Sequence, residues 1–243
     1  ASLGIAKVKV YRPLSVAYFS TGDEVLSLGD PIREGAVYDS NRYTVFGLLS
    51  RMGCQVVDMG VVRDDPVLLE QAFQQASTNA DVVITSGGVS VGEADFTKAM
   101  MKKLGDVAFW KIAMRPGRPM AVGRLGDCIL FGLPGNPVAV MVTFLAFVKP
   151  ALLQMMGCSP NTTPYLRAKS AVALRKKPGR TEYQRGFVRT LPDGTLQVEA
   201  AGNQGSGVLR SMVEANGLIV LHHQQSSVAA GDEVDVMMFD GAI

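Results

Sequence analysis

The groups able to hold an anion or a hard cation gather in a few short runs. One is Ser86-Gly87-Gly88-Val89-Ser90-Val91-Gly92-Glu93-Ala94-Asp95, which follows the apolar run Val82-Val83-Ile84 and leads into a helical pattern carrying Phe96, Met100 and Leu104. A Gly-Gly pair lets the backbone take positive φ, so that successive N–H groups turn towards one concave point, and the following helix adds its partly positive N-terminus. Such a corner suits phosphate or another oxyanion. Asp95 stands at the helix start, where a carboxylate serves either as an N-cap or, beside a phosphate cradle, as a ligand for Mg²⁺. Neither a Walker A loop nor G-x-G-x-x-G fits the run, which argues against nucleotide binding through those loops.

The elements that must position this chemistry follow from hydrophobic patterning. Leu14–Ser20, Cys54–Val62 and Asp81–Thr85 read as strands, the last without alternation, as in a parallel sheet buried on both faces. Between them lie helices started by Tyr38-Asp39-Ser40-Asn41 and Arg63-Asp64-Asp65-Pro66. The alternation β-α-β-α-β-α predicts a mainly parallel sheet with helices on both faces. After Gly105 come short strands, Phe109–Met114, Met120–Val122 and Cys128–Phe131, with the doubly basic turn Arg115-Pro116-Gly117-Arg118-Pro119 between the first two. Gly132-Leu133-Pro134-Gly135-Asn136-Pro137 then starts a helix to Met156, apolar nearly all round and expected to be buried, partly against another subunit. From about Asn161 the pattern turns to strands, Leu166–Leu174, Glu182–Leu191, Leu196–Ala201, Leu218–His222 and Val234–Phe239, which suit a small barrel-like all-β domain. The division expected is therefore 1–13 as a linker or the end of a preceding domain, 14–160 as the α/β domain, and 161–243 as the β-domain. The chain opens without methionine on the apolar segment Leu3–Val10, which suggests a processed form or a fragment.

Composition removes several classes of function. The 243 residues carry a net charge of +2, and their lysines and arginines form no aromatic-interleaved run, so no nucleic-acid partner is expected. Cys54, Cys128 and Cys158 are odd in number and far apart, which predicts reduced, mostly buried thiols and neither a disulfide framework nor a zinc site. The two histidines, His222 and His223, are adjacent and would point to opposite faces of a strand, so catalysis by histidine is not expected. The apolar stretch Val138–Val148 is bounded by Pro137 and Lys149-Pro150, short of the ~20 residues a membrane helix needs. A soluble, cytoplasmic protein with no membrane contact is the expectation.

One geometric rule draws the motifs together: open parallel sheets bind ligands outside the carboxyl ends of their strands. Asp23 and Glu24 follow the first strand, Asp64 and Asp65 the second, Gly87-Gly88 with Asp95 the third, and Arg115 with Arg118 a later one. Acidic groups suited to a metal and basic groups suited to an oxyanion would then face one crevice. Thr21-Gly22-Asp23-Glu24, Tyr38-Asp39-Ser40-Asn41, the run Ser86 to Asp95, the turn Arg115 to Pro119 and Gly132 to Pro137, in this order, resemble the molybdopterin molybdenumtransferase family, known as MoeA and in animals as the E domain of gephyrin. The resemblance covers essentially the whole chain, as the family's molybdopterin-binding α/β domain and its small C-terminal β-domain.

That resemblance implies insertion of molybdate into adenylylated molybdopterin, with Mg²⁺ assisting release of AMP. It also implies a molybdopterin adenylyltransferase as the upstream partner, a homodimer in the full-length protein, and further N-terminal domains that complete the site, without which the chain would be inactive or slow. By position, Glu24, Asp64 and Asp95 resemble the family's catalytic acids, with Asp95 and Glu24 the Mg²⁺ candidates. Thr21, Gly22, Asp23, Asp39, Ser86, Gly87, Gly88, Ser90 and Gly92 resemble its substrate-binding positions, together with Lys111, Arg115, Arg118 and the run Pro134, Gly135, Asn136 and Pro137. In the β-domain, Arg180, Arg185 and Ser206 fall in segments resembling those that border the molybdate site, alongside Arg115 and Arg118. Two departures stand out: the family turn usually reads Lys-Pro-Gly-Lys-Pro, and Ala139 stands where relatives often place serine. The other activities implied by the same fold are a molybdopterin adenylyltransferase and a non-catalytic scaffold module.

Overall fold

The computed structural model describes residues 1–89, 95–158 and 164–239, apart from the side chain of Asp95. Its first part runs β1 (Ser15–Thr21), β2 (Val25–Leu26), β3 (Val37–Tyr38), α1 (Ser40–Arg51), β4 (Gln55–Val62), α2 (Pro66–Asn79), β5 (Val82–Ser86) and α3 (Asp95–Leu104). Then come β6 (Asp106–Lys111), β7 (Met114–Arg115), β8 (Pro119–Leu125), β9 (Cys128–Leu133), α4 (Pro137–Thr143) and α5 (Lys149–Met155). The main sheet has the order β4-β1-β5-β9-β8-β6, parallel from β4 through β9 and antiparallel beyond it. Strands β6, β8 and β9 thus extend the same sheet, while β7 does not join it. Every residue of β5 is buried, which is why its sequence shows no alternation.

The helix caps follow the sequence. Asp39 accepts from the Arg42 N–H, and Asp65 accepts from Val67 and Leu68 with Pro66 at the first turn. Helix α2 buries Leu69, Ala72, Phe73 and Ala76, and Phe73 meets Phe19 edge-on at 5.1 Å. Helix α3 departs from the expected stripe: Thr97 and Met101 are its buried positions, while Phe96 is 51% exposed and Met100 and Leu104 pack only at the margin. Contact with α2, which includes a 2.8 Å ion pair between Lys103 and Glu70, sets that rotation.

The helix after Pro137 does not stop at Lys149-Pro150. A π-helical segment, Phe144–Val148, joins α4 to α5, and the Lys149 N–H donates five residues back to the Phe144 carbonyl. This wider turn accommodates a proline that has no N–H to offer and whose ring would crowd the preceding turn of a regular helix. The continuous helix Pro137–Met155 has 19 residues and a mean hydropathy of 1.8, long and apolar enough to cross a membrane by length and composition. The Val138–Val148 estimate of its apolar length is therefore too short. Some 56% of it is buried within the fold, against α1 and β9 among others, as expected of a core helix.

The C-terminal part comprises β10 (Leu166–Ser170), β11 (Thr181–Thr190), β12 (Leu196–Ala200), α6 (Arg210–Glu214), β13 (Gly217–Leu221) and β14 (Glu233–Met238). Pairing in the order β10-β14-β13-β11-β12 and back to β10 closes a five-stranded barrel around Val198, Ile219, Leu221, Val234 and Val236. Short β7 adds to β11 in parallel, with Met114 opposite Thr181 and Arg115 opposite Glu182. Met212, Leu218, Val220 and Met237 of this part share one apolar core with Leu14, Leu133, Val138 and Val148.

Residues 1–13 form no strand or helix, and Arg12 anchors them by two bonds to the Asp81 carboxylate at 2.5 and 2.6 Å. Of the thiols, Cys128 is buried, Cys54 partly so, and Cys158 is exposed, contrary to the expectation of burial; all are free. His222 is exposed and lies 2.6 Å from Asp235 on the barrel surface.

Candidate active site

A cleft of about 1060 Å³ opens where β1, β5 and β9 end. Ser20 and Thr21 close β1, Ser86 and Gly87 close β5, and Pro134 to Pro137 lead from β9 into α4; all of them line it. Its floor is a cluster of hydroxyls. Tyr18 Oη lies 2.8 Å from Ser20 Oγ and 2.7 Å from Ser86 Oγ, and burial pushes the Tyr18 phenol well above its ordinary value. Asn41, in the first turn of α1, donates through Nδ2 to the Gly135 carbonyl at 2.8 Å and to Ser86 Oγ at 3.4 Å, so one carboxamide ties three loops together.

The glycine turn behaves as its composition requires. Gly87 and Gly88 have φ of +89° and +66°, and a Cβ on Gly87 would lie 2.3 Å from the Thr21 carbonyl oxygen. Only glycine lets β5 turn so close against the end of β1. The basic turn lines the same cleft; its Arg115–Pro116 bond is cis, and Gly117, at φ +94°, lies against Thr143 of α4. Arg115 and Arg118 are exposed and line the cleft, as does Ala139, whose carbonyl accepts from Thr143 Oγ1 at 2.7 Å.

The barrel supplies the remaining wall through Gln204, Gly205, Ser206 and Gly207. This loop is stitched to the start of α4: the Val138 N–H donates to the Ser206 carbonyl at 3.1 Å, and Asn136 Nδ2 donates to Ser206 Oγ at 3.1 Å. Of the clustered acids, Glu24 lines the cleft, whereas Asp23 and Asp64 are not among its lining residues; the Asp64 N–H donates to Asp23 Oδ1 at 3.3 Å, and Thr97 Oγ1 donates to Asp64 Oδ1 at 3.4 Å. Burial raises the pKa of Asp64 above the ordinary carboxyl value, and the charges of Asp23 and Glu24 add to that rise. Thr21 Oγ1, Asp39 Oδ2 and Asn41 Oδ1 are buried on cleft-lining residues without a hydrogen-bond partner among the described residues.

Most of the positions singled out in the sequence meet here: Thr21, Glu24, Asp39, Ser86, Gly87, Arg115, Arg118, Pro134, Gly135, Asn136, Pro137 and Ser206 line the cleft. Gly22, Asp23, Gly88 and Asp64 are not among the lining residues; Gly22, Asp23 and Gly88 adjoin lining residues in the chain, and the Asp64 N–H bonds to Asp23. Three basic residues are placed otherwise. Lys111 is exposed at the end of β6, opposite Pro119, and is not among the lining residues. Arg180 is paired with Glu182 at 2.8 Å, away from the lining. Arg185 is only 1% exposed and bonds to the barrel loop from behind. Ser90, Gly92 and the side chain of Asp95 lie outside the described residues. Ser20, Asn41 and Gln204 line the cleft without having been singled out; Asn41 was legible only as part of a helix start and Gln204 only as part of a glycine-rich loop.

The chain matches the family described as the probable molybdopterin binding domain over residues 17–154, and the MoeA C-terminal region (domain IV) over residues 167–239. It is 45% identical over 241 residues, 99% of its length, to a molybdopterin molybdenumtransferase of Haemophilus influenzae, and 36% identical over 237 residues, 95% of its length, to one of Nostoc sp.. It spans 60% and 54% of the lengths of these curated relatives. It is also similar to the crystal structure of a molybdopterin biosynthesis MoeA protein from Pyrococcus horikosii, with a TM-score of 0.81 at 30% identity, covering 98% of this chain and 57% of that one. The strand-end cleft, the barrel that walls it and these matches together place the chain in the molybdopterin molybdenumtransferase (MoeA) family, of which it carries the molybdopterin-binding α/β domain and the C-terminal β-domain.

Proposed function

We propose that this chain forms the binding cleft of a molybdopterin molybdenumtransferase, which inserts molybdate into adenylylated molybdopterin and releases AMP. The observation that carries this reading is one cleft lined by Arg115 and Arg118 together with the carboxylates Glu24 and Asp39, at the carboxyl ends of parallel strands in a molybdopterin-binding domain. Arg115 and Arg118 neutralise the charge of an oxyanion, and the planar guanidinium fork can hold two of its oxygens at once. The glycine turn at Gly87 and the Gly135-Asn136-Pro137 turn bring backbone close to a bulky phosphorylated ligand. Gln204 and Ser206 close the cleft from the barrel side.

The acidic side fits Mg²⁺. The Asp64 carboxyl is raised first by burial and then by the charges of Asp23 and Glu24, and a cation beside it would offset that charge. No group of three or more His, Cys, Asp and Glu is placed to hold a metal among the described residues, but Mg²⁺ needs only one or two carboxylates and completes its shell with water and phosphate oxygens. Glu24 and Asp64 would hold it, with Asp95 added by position in the family. When bound, it would offset phosphate charge and so ease departure of AMP. Upstream, a molybdopterin adenylyltransferase supplies the substrate; the longer protein acts as a homodimer in the cytoplasm.

The test is to join the chain to the N-terminal domains of a full-length relative and incubate it with adenylylated molybdopterin, molybdate and Mg²⁺. Molybdate-dependent release of AMP supports the reading, and the 243-residue chain alone should be inactive or slow. Formation of adenylylate from ATP would instead indicate the adenylyltransferase, and neither activity would indicate a scaffold.

A further inference from the structure

Arg185 is a cation in the wrong place for a simple ligand. It sits in the middle of β11, is 1% exposed, and no carboxylate pairs with it among the described residues. Removing a guanidinium from water without a counter-ion is costly, so its hydrogen bonds must be valuable to the fold. They go to the loop beside it and to Ser211 of α6. Nη2 donates to the carbonyls of Asn203 and Gly205, each at 3.0 Å, and Nε donates to Ser211 Oγ at 3.1 Å. Its main chain takes part as well: Gln204 Oε1 accepts from the Arg185 N–H and Gln204 Nε2 donates to the Arg185 carbonyl, both at 2.9 Å.

We propose that Arg185 is a positioning residue, which shapes the barrel loop 203–207 from behind so that its far edge presents donors to an oxyanion in the cleft. In a planar trans peptide the C=O and the N–H point in opposite directions. Drawing the Gly205 carbonyl towards Arg185 therefore turns the Ser206 N–H away from it, on the loop whose residues Gly205, Ser206 and Gly207 line the cleft. Asn136 and the Val138 N–H grip the same loop from α4. The guanidinium fork is essential to this role, because a lysine ammonium is a point charge that lacks the planar spread needed to engage Ser211 and two carbonyls together. Burial lowers the Arg185 pKa, and Arg115 lies close enough to add to that lowering.

The oxyanion in this inference rests on the function proposed above; the holding of the loop does not, and two measurements separate them. Amide hydrogen exchange on the 243-residue chain should be about tenfold or more faster at residues 203–207 in both Arg185→Lys and Arg185→Met, with Glu182–Val188 of β11 still protected. Ser211→Ala, which removes one bond only, should give a smaller change in the same residues. Molybdate affinity, measured calorimetrically, should fall about tenfold in Arg185→Lys, and Ser206→Ala should cost far less in that background than in the parent. An unchanged loop in both Arg185 variants overturns the inference. So does exchange that rises throughout the barrel, which would make Arg185 a general fold element, or additive losses for Arg185→Lys and Ser206→Ala, which would make it an independent ligand. If the parent binds no molybdate but the loop loosens as described, the positioning role stands and the fault lies with the functional reading.

Discussion

At the scale of single residues, the acids next to the cleft hold their charge at a cost. Asp64 is partly buried and neighboured by Asp23 and Glu24, and only the Thr97 hydroxyl bond works against the resulting rise in its pKa. A carboxyl whose folded value exceeds its unfolded one binds its proton more tightly when folded. Stability therefore falls as pH rises from the ordinary carboxyl value through the folded one, and the full penalty is present at pH 7. Asp64→Asn removes the charge and keeps the shape. Its Tm at pH 7 should exceed that of the parent by about 1–2 °C, a modest gain because the group is partly solvated, and the gap should close as pH approaches ~4. Added Mg²⁺ should raise the Tm of the parent more than that of the variant. A gap that is constant with pH would show that packing, not repulsion, is responsible. Residue types and their strand-end positions made this cluster legible in the sequence. The burial of Arg185 and the Arg180–Glu182 pair were not legible, because both depend on which face of β11 meets the 203–207 loop and on the strand β7 that docks beside it.

At the scale of elements, patterning located the strands and the capped helices because each carries its own local chemistry, such as Asp65-Pro66 before α2 and the apolar run of β5. It misjudged what neighbours decide. The buried face of α3 is displaced by one position through contact with α2, and the helix after Pro137 passes Lys149-Pro150 because a π-turn absorbs the missing donor. Helix α6, a single short turn, has no signal strong enough to read. The glycine corner lies between these cases: the need for positive φ was legible, but its cause, the closeness of the Thr21 carbonyl, is a long-range contact. Gly87→Ala should cost about 1–3 kcal/mol in backbone strain alone and more from crowding, seen as a lower urea midpoint. Gly29→Ala is the comparison, since its φ is +97° but nothing lies within 4 Å of the added Cβ. Equal losses in the two variants would mean that crowding at the corner is relieved at no cost.

At the scale of the whole molecule, the sequence suggested two domains meeting near residue 161, and the packing binds them more closely than that division implies. β7, from the first part, pairs with the start of β11, and Met212, Leu218, Val220 and Met237 of the C-terminal part belong to the apolar core that also holds Leu133 and Val138. That core cannot be divided at the linker without opening apolar surface on both sides, at roughly 25 cal/mol for each Å² exposed. The cleft is divided by the same cut, since Gln204 to Gly207 form one of its walls. The 243-residue chain should therefore unfold in a single calorimetric transition, with the van't Hoff and calorimetric enthalpies in agreement. A chain ending at residue 158 should melt lower, bind a dye that reports exposed apolar surface, and lose any molybdate affinity the parent has. Two separated transitions in the parent, or a truncated chain that keeps both its melting temperature and its anion affinity, would show that the barrel is an independent appendage and that the shared core contributes little to holding the site together.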